Sequence, residues 1–176
     1  MFSQNATASP PDPTGAVGLN HYLQAVNSTP LKIYNKSSGA VIGSFSNLGS
    51  LWSPAVGNMG DPIVLYDKYA DRWFISQFGN GNKVYIAIST SPDPTGTYYT
   101  YTFTSPQFPD YEKFSIWYDG YYMTSNQSTQ KVFCFERDKM LLGNAAARAI
   151  SVNFTPGTVS SFYIPLPADA DGVLPP

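Results

Sequence analysis

Three aspartates recur along the chain. Asp12, Asp61 and Asp110 stand at an interval of 49 residues (61 − 12 and 110 − 61). The last opens the run Asp110-Tyr111-Glu112-Lys113, which sets two carboxylates, a phenol and an ammonium side by side. Two carboxyl groups flanking one bond can hydrolyse a glycoside, one as acid and the other as base or nucleophile. The same residue types can also hold a sugar without cleaving it. Aromatic sugar platforms are offered instead by Trp73-Phe74 and Tyr121-Tyr122, although strand alternation sends one ring of each pair inward to pack between units. A third reading is purely structural, because an aspartate at a strand start commonly caps a turn.

Other chemistries find little support. Glu112 and Glu136 are the only glutamates, so a hydrolytic pair would join Glu112 to Asp61 or Asp110. His21 is the only histidine and lacks the companions of a zinc site. Cys134 is the only cysteine, which excludes an intrachain disulfide and a cysteine metal site, and its apolar setting reads as a small buried residue. No Gly-x-Ser-x-Gly, P-loop or His-Glu-x-x-His motif is present. No catalytic residue, metal or cofactor is therefore assigned.

These residues must be positioned by strands. Helical periodicity is nearly absent, and the one helix-friendly stretch, residues 138–150, is interrupted at Gly143 and Asn144. Charged residues are only 12%, while Tyr, Phe, Gly and Pro number 13, 11, 14 and 15. Aromatic residues suit pleated sheets, and Gly with Pro punctuates turns. Apolar stretches at 62–67, 72–78, 83–90 and 98–103 form one set of four strands. A second set follows at 113–119, 120–126, 131–137 and 149–154, and a thinner one precedes at 15–18, 21–27, 31–36 and 40–45. Four strands repeating every ~40–50 residues is the sequence form of a β-propeller. The expectation is an all-β chain, a single incomplete propeller of three four-stranded antiparallel blades at about 12–48, 60–104 and 110–158. Residues 165–176 would be a linker toward a further blade.

Asp-Pro-Thr-Gly occurs twice, at 12–15 and 93–96, but out of phase with the repeat. It is one turn used in two places. The second copy, Ser91-Pro-Asp93-Pro-Thr-Gly96-Thr97-Tyr98, resembles the Asp-box of sialidase-type propellers, with one extra residue before Gly96 and Tyr98 for the usual Trp. In that family the box stabilises a blade turn and is not catalytic. As a whole the chain is similar to a group of secreted bacterial propeller proteins. The segments carrying that resemblance are 12–27, 60–78, 87–103, 109–126 and 166–172. The group usually has Asp-Tyr-Pro-Lys where this chain has Asp110-Tyr111-Glu112-Lys113. The resemblance implies the fold and secretion, and no settled activity.

Propeller ligands often bind where first strands begin. That singles out Asp61, Asp110, Tyr111, Glu112 and Lys113 as ligand contacts, joined by Asn20 and His21 from the first unit. A sialidase would need arginines on inner strands, whereas Arg72, Arg137 and Arg148 fall later in their units. The expected function is an extracellular recognition or scaffolding module binding a glycan or a surface protein. The alternative is a fragment of a glycoside hydrolase. A net charge of −2 with no basic stripe argues against nucleic acid. No apolar run is long enough for a membrane span, and no signal peptide is visible. Five Asn-x-Ser/Thr triplets, at Asn5, Asn27, Asn35, Asn126 and Asn153, agree with an extracellular site. An unclosed array would leave an apolar face on its last unit, with Tyr121, Met123, Phe133 and Phe135 as candidates, open to self-association or to further blades.

Overall fold

The computed structural model describes residues 8–129, 131–153 and 165–173. Within them lie twelve strands, a 3-10 turn at Leu48–Leu51 and one short helix. The first sheet contains β1 (Thr14–Val17), β2 (His21–Ala25), β3 (Leu31–Asn35) and β4 (Val41–Phe45). The second contains β5 (Ile63–Asp67), β6 (Arg72–Gly79), β7 (Lys83–Ser89) and β8 (Tyr98–Thr104). The third contains β9 (Asp110–Ile116), β10 (Tyr121–Asn126), β11 (Lys131–Phe135) and β12 (Ala149–Asn153). Each is an antiparallel meander in chain order, and among the described residues no sheet closes on itself. The chain is all-β with three four-stranded sheets, as the sequence predicts. The helix α1 (Arg137–Leu141) is the single turn expected from the interrupted pattern. It is too short to cross a membrane, and no other described helix could. The parts of the expected third unit and linker on residues 154–164 and 174–176 lie outside the described residues.

The alternation of each strand builds two cores, one on either side of the second sheet. Leu23, Ala25, Leu31 and Ile33 of the first sheet meet Val64, Trp73, Ile75 and Ala87 of the second. On its other face Phe74, Ile86 and Ile88 meet Tyr121, Met123, Phe133 and Phe135 of the third. The Phe74 and Tyr121 rings lie 5.1 Å apart between centroids. Each such side chain contributes roughly 1.5–3 kcal/mol by leaving water. Trp73 is also anchored through its indole N–H, which donates to the Pro92 carbonyl at 3.0 Å.

Three expectations are corrected here. Tyr121, Met123, Phe133 and Phe135 do not lie on the open face of the third sheet. They face the second sheet, and the more open face carries Tyr122 and Val132, which share a cavity with Pro165 and Leu166, and Ile150 and Val152, 49% and 59% exposed. Alternation had assigned the residues to two faces but could not say which face meets a neighbour. Cys134 is on that open face and only half-buried. The first strand of the third set also starts earlier than read, at Asp110. Residues 117–120 form the turn to β10, closed by the Trp117 N–H donating to the Gly120 carbonyl at 3.0 Å. Gly120 is required there, since a Cβ would come within 2.6 Å of the Cys134 sulfur.

Two long-range connections tie the sheets together. Asp67, at the end of β5, is fully buried and accepts from Arg137 Nε (2.7 Å), Arg137 Nη2 (3.0 Å) and the Tyr121 hydroxyl (2.9 Å). The second is segment 165–173, which runs back across the third sheet. Thr124 donates its hydroxyl to the Pro165 carbonyl. The Ile116 N–H donates to Asp169 Oδ1 at 2.7 Å, and the Ala170 N–H donates to the Ile116 carbonyl at 2.9 Å. The segment then reaches the β5–β6 turn, where Lys68 pairs with Asp171 and the Tyr69 hydroxyl donates to the Gly172 carbonyl.

Candidate functional site

The first strands of all three sheets start at one end of the molecule, and their starts converge. Residues 12–14, 61–63 and 111–113 form the walls of a single cleft of about 280 Å³. The three triplets share a backbone device. Asp12, Asp61 and Tyr111 have positive φ, at 34°, 45° and 55°. The next positions are Pro13, Pro62 and Glu112. After them come Thr14, Ile63 and Lys113, whose cross-strand partners are Ala25, Ser76 and Thr124.

The matched positions revise the interval of 49. Tyr66 and Ile116 hold matching places on β5 and β9, with Trp73 and Tyr121 opposite them. Trp73 and Tyr121 also face the preceding sheet. From the second sheet to the third the step is therefore 50 residues (116 − 66), and Tyr111, not Asp110, takes the place of Asp12 and Asp61. A register shift between Thr124 and Asn126 then sets Asp110 opposite Asn126. Aspartate tolerates the left-handed region comparatively well, whereas a bulky tyrosine rarely adopts it. Such a residue is held by its surroundings at a cost of order 1–3 kcal/mol.

The first two strand starts are held by side chains. Asn27 donates its amide to Asp12 Oδ2 at 3.0 Å and to the Pro10 carbonyl at 3.1 Å. The same amide lies against Gly60 (φ 105°), where a Cβ would be 2.6 Å from Asn27 Oδ1. Thr14 Oγ1 accepts from the Val64 N–H at 3.2 Å, which ties β1 to β5. In the third sheet Lys113 takes over. Its Nζ lies 3.3 Å from the Tyr111 ring centroid and donates to the Glu112 carbonyl at 3.1 Å. Tyr111 as a whole is 48% exposed.

Glu112 is 2% exposed, and neither carboxyl oxygen has a hydrogen-bond partner. Burial pushes this carboxyl up to about 8. Its own backbone amide and Lys113 oppose that rise, while Asp61 and Asp110 add to it. Burial likewise raises Asp61, with Asp12 and Asp110 reinforcing the effect. It lowers Lys113, against the pull of Glu112 and the three aspartates. The cleft thus combines an acidic rim, a half-exposed aromatic ring clamped by an ammonium, and a neutral buried acid. Among the described residues no group of three His, Cys, Asp or Glu is placed to hold a metal ion.

Of the residues expected at this end, Asp61, Asp110, Tyr111, Glu112 and Lys113 come together. His21 and Asn20 do not. β1 runs from the cleft to Val17, and β2 begins beside that far end, so antiparallel pairing carries His21 away. His21 lies instead near Asp93. The Asp93 turn, between β7 and β8, also lies at that far end. Asp93 Oδ1 accepts from Thr95 N–H (2.9 Å) and its hydroxyl (2.7 Å), and the Gly96 N–H donates to the Asp93 carbonyl at 3.2 Å. These bonds fit the turn role read from the sequence. Asp12 and Thr14 line the cleft although only Asp12 was singled out as a phase marker. The 12–15 turn motif was the available signal for both.

The chain matches no known family model, and neither a curated protein nor a solved structure was found similar to it.

Proposed function

We propose that the three sheets are consecutive blades of a β-propeller, and that the chain is an extracellular recognition module which binds a glycan through the cleft at its first-strand starts. The observation that carries this reading is Tyr111. A half-exposed aromatic ring stands in a left-handed conformation where the other two sheets use aspartate. Unfavourable backbone of this kind persists where its surroundings over-determine it, and it clusters at ligand sites. The ring suits the apolar face of a sugar, and the neighbouring Asp12, Asp61 and Asp110 carboxylates suit its hydroxyls. Successive antiparallel four-stranded units supporting one axial cleft fit the propeller reading.

The hydrolase reading is weaker. Glu112 has the raised pKa of a general acid, but both its oxygens are buried. A general acid must come within hydrogen-bond reach of the leaving oxygen.

Glycan-array screening of the full chain, followed by titration of the best ligand, tests the proposal. Tyr111→Ala should weaken binding about tenfold, or ~1.4 kcal/mol, and Asp61→Asn should weaken it as well. Absence of any glycan binding, or binding indifferent to both substitutions, would discard the reading. Cleavage of the bound glycan that disappears in Glu112→Gln would replace it with the hydrolase.

A further inference from the structure

Glu112 occupies a position that the other two sheets fill with proline, Pro13 and Pro62. A pyrrolidine ring needs no polar partner there, whereas a carboxyl does, and this one has none. The charged groups acting on it come from two of the three strand starts around the cleft, and the third acts through them. They are Asp61 from β5, and Asp110 and Lys113 from its own strand, with Asp12 of β1 acting on Asp61 and Lys113. Lys113 is the only cation among them, and it is engaged elsewhere, on the Tyr111 ring and the Glu112 carbonyl.

We propose that Glu112 and Lys113 form a proton-operated latch on the cleft. With Glu112 neutral, Lys113 is held on the Tyr111 ring. With Glu112 ionised, the ammonium leaves the ring and pairs with the new carboxylate. The proton passes to water and nothing else changes covalently. A buried carboxylate without a partner is far costlier than the loss of an exposed cation–π contact, so the ammonium moves to the charge. Burial holds the carboxyl neutral up to about pH 8, which sets where the latch turns. The latch depends on the recognition reading only for its effect on a ligand, since it changes what covers the Tyr111 ring.

The test is nuclear magnetic resonance of the full chain, following the Tyr111 ring and Lys113 side-chain signals between about pH 6 and 9. In the unaltered chain both sets should shift together with one midpoint near 8. Glu112→Gln should abolish the transition, and Lys113→Met should leave the Tyr111 signals flat throughout. Flat signals in the unaltered chain, or an unchanged transition in Glu112→Gln, would overturn the proposal. An intact transition in a chain that binds no glycan at any pH would support the latch and sink the recognition reading alone.

Discussion

Arg137 closes a bidentate pair on Asp67, with Nε and Nη2 at 2.7 and 3.0 Å from the two carboxylate oxygens. Seventy residues separate the partners, and the pair fastens the third sheet to the second. Removing one partner strands a buried charge, which typically costs about 3–5 kcal/mol. Arg137→Met should therefore lower the unfolding free energy by that order in urea titration. Adding Asp67→Asn to it should cost much less than the sum of the two single changes. Additive losses would mean that the two groups do not act as a pair.

Stability should fall with rising pH because of Glu112. Its carboxyl is raised in the folded chain to about 8, from an ordinary value of 4.5. Between those values the folded chain keeps a proton that the unfolded chain has released. The stabilising contribution is thus complete below pH 4.5 and lost as pH climbs through 8, with a slope of at most ~1.4 kcal/mol per pH unit. Glu112→Gln should flatten this slope in denaturation series at several pH values. Parallel curves for the two proteins would refute the assignment.

Glu112→Pro should raise the melting temperature. It restores the residue found at the matching positions 13 and 62, removes an unpartnered carboxyl and restricts the unfolded chain. The expected gain is about 1 kcal/mol. A loss would show that the backbone N–H of residue 112 is needed, and that the three strand starts are less alike than their φ pattern indicates.

Tyr111→Asn should separate stability from binding. Asparagine tolerates the left-handed region, so unfolding should be unchanged or up to ~1 kcal/mol harder. Any glycan affinity should drop as it does in Tyr111→Ala. A variant that is clearly destabilised would make the ring a packing element instead of a ligand platform.

Much of this architecture was legible because strands are written locally. Alternation around Trp73-Phe74 and Tyr121-Tyr122, with Gly and Pro between, fixes where strands run. The common start of the first strands, and so the gathering of Asp61, Tyr111, Glu112 and Lys113, follows from that repeat. What remained hidden depends on neighbours. The choice between Tyr121 and Tyr122 as the buried ring is made by which side the second sheet packs. The equal spacing of Asp12, Asp61 and Asp110 concealed the one-residue step that puts Tyr111 in register. His21 was misplaced because a position near the first strand in sequence can lie at either end of it. No local pattern could have paired Asp67 with Arg137.

The path of segment 165–173 has a mechanical meaning. It is pinned at Ile116 and then at Lys68 and Tyr69, across two sheets. Tension applied through Gly172 would be borne first by the β5–β6 turn, and next by the two backbone-edge bonds at Ile116. The outer strands β11 and β12 lie off that line of force. A pull from this side would therefore peel the segment away bond by bond before it loaded either core, and the three sheets would sit behind a sacrificial tether.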